Sequence, residues 1–157
     1  MNQIAKRGAV LMAVAMACGL SLSTPASAST LTTVTTCSTG GPIQGLNVKA
    51  CVDVTGGDVR IYGTVGAIGI SEPPGEPRNI GAQVSGEIVG GAFLGSGSRA
   101  LSIWNNSFTV EGTTATVASG STVRAKVQIT PGVPGPGGGG TPLPGPTSVS
   151  VEVPVTY

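Results

Sequence analysis

The sequence predicts an all-β domain, and three observations carry that prediction. The first is a strict period of two on both sides of Gly56-Gly57. Leu46, Val48, Ala50, Val52 and Val54 are apolar before it, and Val59, Ile61 and Val65 are apolar after it, so a two-residue turn puts both sets on one face of a hairpin. The second is that turn signals recur every ten residues or so while no long amphipathic helix is found. The third is that two further segments repeat the alternation. Val123, Ala125, Val127 and Ile129 oppose Thr122, Arg124, Lys126 and Gln128, and Val149, Val151, Val153 and Val155 oppose Ser148, Ser150, Glu152 and Pro154.

In chain order, Lys6 and Arg7 precede an apolar run from Gly8 to Leu20, and Ala26-Ser27-Ala28 supplies an A-x-A cleavage site. That pattern predicts a secretory signal peptide over residues 1–28 and an extracellular location. The run is too short to span a bilayer, and no later stretch approaches the ~20 apolar residues that a membrane helix needs, so no membrane span is expected. Cys18, in Ala15-Met16-Ala17-Cys18, offers a lipoprotein reading as the alternative, against which Ala15 stands where an aliphatic residue is usual.

Residues 29–157 then form a single domain. Ser29 to Thr36 is β-branched and uncharged, which suits a strand, but its only large apolar residues, Leu31 and Val34, fall on opposite faces, so burial does not fix its register. Ser38 to Pro42 reads as a turn, and the hairpin follows. The outer face of that hairpin carries Asn47, Lys49, Cys51 and Asp53 against Arg60, Tyr62 and Thr64, with Asp53 directly across from Arg60. Residues 68–79, with Glu72-Pro73-Pro74-Gly75-Glu76-Pro77, read as an extended loop. A strand resumes at Ile80 and is broken by Gly90 to Gly97, an apolar, glycine-flanked tip. Leu101 and Ile103 alternate again, Asn105-Asn106 turns, and Phe108-Thr109-Val110 with Thr114 to Ala118 gives one or two short strands around Gly112. Residues 131–146 hold thirteen Pro or Gly among sixteen, a spacer between two strands. Pro154 marks an edge or a strand end. Seven to nine short antiparallel strands of this kind make an immunoglobulin-like β-sandwich.

Two cysteines survive removal of the signal peptide, and an exported chain with an even count pairs Cys37 with Cys51. The core must be Val, Ala and Ile, since Tyr62, Phe93, Trp104, Phe108 and Tyr157 are the only aromatic residues of the mature chain.

Several chemistries are disfavoured. The chain has no histidine, which removes the commonest general base and the imidazole metal sites. Six positive groups against seven carboxylates in the mature chain leave no basic stripe for nucleic acid. Asp53 and Asp58 flank the hairpin turn, where a calcium or acid/base role competes with an ordinary turn and cross-strand role, and the latter is expected. No catalytic residue, metal or cofactor is therefore expected. For binding, the Ala92-Phe93-Leu94 tip is an exposed apolar candidate. Trp104 belongs in the core of most sandwiches, yet beside Asn105-Asn106 it is also placed to anchor a ligand. Asn105-Asn106-Ser107 is a glycosylation sequon, meaningful only in a host that glycosylates exports, whereas the Ala-rich leader suggests a bacterium.

The Cys37-x13-Cys51 spacing, the run Ala50-Cys51-Val52-Asp53-Val54, the glycine-rich turns and the closing Val-x-Val-x-Val strand resemble the small secreted β-sandwich proteins of actinobacteria such as Streptomyces. Among these the chain is similar to the adaptor subunits of secreted umbrella toxin particles. That resemblance implies an immunoglobulin-like protein joining a lectin subunit to a repeat-bearing toxin polypeptide, and it transfers no functional residue. The leading expectation is a secreted, non-enzymatic adaptor for other secreted proteins, with Leu31 and Val34 on a strand that pairs with a partner's edge. A carbohydrate or cell-wall glycan module using Trp104 and Phe93 is the alternative, and a secreted protease inhibitor is the second.

Overall fold

A computed structural model describes residues 31–68, 77–131 and 147–157. Residues 1–30, which include the predicted signal peptide and Cys18, residues 69–76 and the Pro/Gly-rich residues 132–146 lie outside the described residues.

Nine strands form two antiparallel sheets: β1 (Thr33–Cys37), β2 (Gly41–Ile43), β3 (Leu46–Thr55), β4 (Asp58–Ala67), β5 (Arg78–Ile88), β6 (Phe93–Ile103), β7 (Ser107–Thr116), β8 (Thr122–Pro131) and β9 (Ser148–Pro154). One sheet has the order β1-β3-β4-β7, with β2 continuing the line of β1 along β3, and the other has the order β6-β5-β8-β9. Because β4 pairs with β7 and β5 with β8 while β4, β5, β7 and β8 alternate between sheets, the connections interlock as in immunoglobulin-like sandwiches. The all-β class, the antiparallel pairing and the disulfide are as the sequence predicts.

The β3–β4 hairpin has the expected register, with Thr55 opposite Asp58 and Asp53 opposite Arg60. Its predicted apolar face is fully inside: Leu46, Val48, Ala50, Val52, Val54, Val59, Ile61 and Val65 are all buried. The facing sheet supplies Ile80, Ala82, Val84, Val123, Ala125, Val127, Ile129 and Val153. No aromatic residue among the described ones is fully buried, so small β-branched side chains and glycines set the spacing of the sheets. Gly63 occupies a core position where an added Cβ would lie 2.6 Å from a Val127 methyl.

Three differences from the sequence expectation have identifiable causes. The stretch read as a turn at Ser38 to Pro42 runs into β2, whose first two residues are Gly41 and Pro42, because Gln44 and Gly45 both take left-handed backbone, with φ of 52° and 75°, and make the two-residue turn that pairs Ile43 with Leu46. The tip expected over Gly90 to Gly97 is smaller. The chain turns at residues 89–92, where Ile88 N–H donates to Ala92 C=O at 2.8 Å, and Phe93 already opens β6. Finally, β7 is one strand. Its extra residue, Gly112, falls where the register shifts opposite Ile61 and Tyr62, so inward-facing positions change from Phe108 and Val110 to Thr113, Ala115 and, just beyond the strand, Val117.

The two flanks of the sandwich differ. Along β6 and β7 the sheets nearly touch: a Cβ at Gly95 would lie 2.7 Å from Thr113 Oγ1, and one at Gly97 would overlap the Glu111 carbonyl. On the other flank, β1 ends one sheet and β9 the other.

Candidate functional site

Each sheet ends in two edge strands, β1 and β7 in one and β6 and β9 in the other, and β1 and β9 are the two that border the open flank. Ser38 N–H donates to Ala50 C=O at 2.8 Å, so Ser38 and Ala50 form a hydrogen-bonded pair of the β1–β3 ladder. By strict alternation Thr36/Val52 and Val34/Val54 do the same, and the N–H and C=O of Thr33, Thr35 and Cys37 turn away from β3. The same reasoning on β9, from Ile129 N–H to Thr147 C=O and Val155 N–H to Ser121 C=O, turns Ser148, Ser150, Glu152 and Pro154 outward. The two edges are unlike. Pro154 presents no N–H and Glu152 carries a charge, both of which discourage further pairing. Strand β1, Thr-Val-Thr-Thr-Cys, has no charge, proline or bulge.

Residues other than its apolar ones hold β1 in place. Cys37 and Cys51 are directly opposed and joined by a disulfide, with Cys51 only 2% exposed. Thr35 Oγ1 donates to Asp53 Oδ1 at 2.7 Å, and Thr33 and Thr55 share a hydroxyl bond of 2.7 Å. Asp53 also accepts from Arg60 Nη1 and Tyr62 Oη, each at 3.3 Å. Arg60 lies over the Tyr62 ring, 4.7 Å from its centroid, and its Nε donates to Glu111 at 3.0 Å. A polar row thus crosses β1, β3, β4 and β7. The hydrogen bond to Glu111 is the chief reason the Arg60 guanidinium is held above its ordinary range. Burial, followed by the Asp53 charge, holds the Tyr62 phenol above its ordinary value of 10. Asp58 has a different partner, Thr116 Oγ1 at 2.9 Å, so Asp53 and Asp58 do not converge.

Of the sequence-predicted binding residues, Val34 sits on the inward side of β1 opposite Val54 yet is 57% exposed, because β1 lies at the open flank. Leu31 is 69% exposed and lies against Gly56 of the β3–β4 turn. Phe93 is 65% exposed, whereas Leu94 is partly buried against the core. Trp104 is exposed, at 51%, in a turn where its backbone N–H donates to Asn106 Oδ1 at 3.0 Å. Leu31 and Val34 share one flank. Phe93 and Trp104 do not share a site: they sit at opposite ends of β6, about 35 Å apart at the rise of a strand.

The sequence reading missed the contrast between the two edges, for which the signals were the charge-free β1 and the Glu152 and Pro154 guards. It also missed the Arg124 cluster, in which Nη1 meets Glu87 at 2.6 Å and Nη2 meets Glu152 at 2.7 Å. No family model, curated protein or solved structure matches the chain.

Proposed function

We propose that the protein is a secreted, non-enzymatic adaptor that binds another extracellular protein by adding a strand to the free edge of β1. The observation that carries this reading is the chemistry of that edge. Thr33, Thr35 and Cys37 offer outward backbone donors and acceptors, no charge or proline guards them, and the disulfide fixes the strand beneath them. Strand addition draws affinity from main-chain hydrogen bonds and specificity from alternate side chains. Val34 gives the incoming strand one apolar contact on the inward side. A role of this kind agrees with the adaptor subunits of umbrella toxin particles that the sequence resembles.

The test removes one outward N–H without touching the β1–β3 ladder. Thr35→Pro does this but also loses the bond to Asp53, so Thr35→Val, which loses that bond and keeps the N–H, is the control. Tagged proteins are recovered from the native culture supernatant, with melting temperature as the check on folding. A stoichiometric partner retained by Thr35→Val and lost by Thr35→Pro supports the reading. A partner held equally by both, or none at stoichiometric level with the unmodified protein, refutes it.

A further inference from the structure

The surroundings of the β1 edge restrict the kind of strand that can join it. Thr33, Thr35 and Cys37, whose main chain points outward, carry their side chains on the outer face of the sheet, opposite Thr55, Asp53 and Cys51. An added strand pairs with them there and sets every other residue opposite Val34 and Thr36, on the side that faces the second sheet. That side is apolar and incompletely covered. Val34 is more than half exposed. On β9, which adjoins β1 across the flank, Val149 and Val151 pair with Val127 and Ala125 of the core and so point inward, yet both are only partly buried. At the Thr33 end, Leu31 lies against Gly56 and the Tyr157 ring against Gly57, and both side chains are largely exposed. Tyr157 is fixed in that place, its Oη donating to Val117 C=O at 3.2 Å. Leu31, Val34 and Tyr157, three of the exposed large apolar side chains, thus gather around one end of one strand. The charge nearest to β1 is Asp53, already engaged with Thr35, Arg60 and Tyr62.

We infer, resting on the strand-addition reading, that the partner's segment is an uncharged amphipathic strand whose every second residue is apolar and turns into the flank between β1 and β9. The open main chain of Thr33, Thr35 and Cys37 requires an extended occupant, since a helix has no free backbone donors and acceptors along its length to offer them. The exposed valines set the alternation: one apolar residue covers Val34, and the next, two positions on, reaches toward Leu31 and Tyr157. A strand that is polar on both faces makes the same main-chain bonds and leaves those side chains wet, so it binds more weakly. Glu152 and Pro154 discourage addition to β9, which leaves β1 as the side of this flank that the strand joins. A second copy of this chain fits less well, because its own β1 would offer Val34 and Thr36 on the inward side, one apolar residue instead of two in succession.

Amide NMR spectra of the isotope-labelled mature protein are followed during titration with three synthetic peptides of equal length and the same two-lysine tail. One alternates Thr and Val, one has the same composition with no valines at successive alternate positions, and one is all Thr, which is as β-branched as Val. The alternating peptide should give saturable shifts at the Thr33, Thr35 and Cys37 amides and bind about tenfold or more tightly than the other two, the scale of partly burying two valines. Val34→Thr keeps the shape of an exposed side chain, so melting temperature should not move while that preference falls several-fold. Thr35→Pro should abolish the β1 shifts. Equal affinity of the three peptides with the same β1 shifts overturns the inference and leaves strand addition standing, as does a preference that Val34→Thr does not change. Absence of β1 shifts with every peptide, or their persistence in Thr35→Pro, also overturns it, and partner recovery with Thr35→Pro against Thr35→Val then decides separately whether the edge binds a protein. Shifts at β1 that follow protein concentration alone would mean that a second copy takes the edge, and would overturn it too.

Discussion

Replacing Gly97 with alanine tests the closed flank directly. Gly97 is in regular strand conformation without positive φ, so alanine is permitted by its own backbone. The obstacle is β7: the new Cβ would overlap the Glu111 carbonyl oxygen and lie 3.1 Å from its carbon and 3.2 Å from the Gly112 oxygen. These are backbone atoms, which no rotamer change can move. Since an ordinary carbon–oxygen contact is about 3.3 Å, β6 must retreat by roughly 1 Å, and overpacking on that scale costs about 1–3 kcal/mol. With an unfolding entropy of about 2.1 cal/mol/K per residue, a domain of roughly 100 ordered residues loses about 5–14 °C in melting temperature. The control is Gly41→Ala, where nothing lies within 4 Å of the added carbon and φ is not positive. Thermal unfolding followed by circular dichroism measures both. A Gly97→Ala protein melting within 2 °C of the parent, on the order of the effect of a neutral surface change, would refute the account of the seam, as would an equal loss in Gly41→Ala.

Reducing the Cys37–Cys51 bridge frees a short loop, for which chain entropy alone gives about 3 kcal/mol. Melting with and without reductant should therefore differ by about 14 °C, and an unchanged melt would show that the bridge adds nothing to β1. Tyr62 makes stability fall in alkali: its folded-state pKa is raised, so its contribution is complete below about pH 10 and is lost as pH rises through the folded value. Tyr62→Phe should flatten that decline in melts taken across the alkaline range, and an identical decline would assign it to other groups. Trp104, half exposed in its turn, should emit like a solvated indole, and Trp104→Ser should shift stability by less than about 0.5 kcal/mol. A blue-shifted emission would contradict its placement.

The register of the β3–β4 hairpin was legible because its alternation has no competing reading: slipping by one residue would expose Val48, Val52 and Ile61 together. Strand β1 was legible as a strand, and its Cys37–Cys51 anchor with it, but since neither Leu31 nor Val34 is buried, the outer-face hydroxyl bonds of Thr33 and Thr35 that hold the rest of it were not. The glycines at 95 and 97 misled for a physical reason. Glycine in a local reading signals a turn, whereas here it permits close approach of a strand distant in sequence, a contact without local trace. Trp104 departed from the usual sandwich core because Val, Ile and Ala already fill the interior to a spacing at which even Gly63 has no room for a methyl group. The Phe93 candidate was legible as an exposed ring, but its neighbours on β5, β8 and β9 come from pairing that only the assembled sheet supplies.

The position of the disulfide within β1 has a mechanical consequence. A pull on the chain before Thr33 that is directed across the strands enters β1 at the end where Thr55 is its partner and opens the β1–β3 ladder like a zip, one pair at a time, which is the weak direction for a sheet. Four pairs, from Thr33/Thr55 to Thr36/Val52, can open before the load reaches Cys37. There it passes through a covalent bond to the middle of β3, a strand flanked by neighbours on both sides. The first strand thus acts as a short slack length in series with a fixed stop: it yields under a small force and then transfers any greater one to the centre of the sheet.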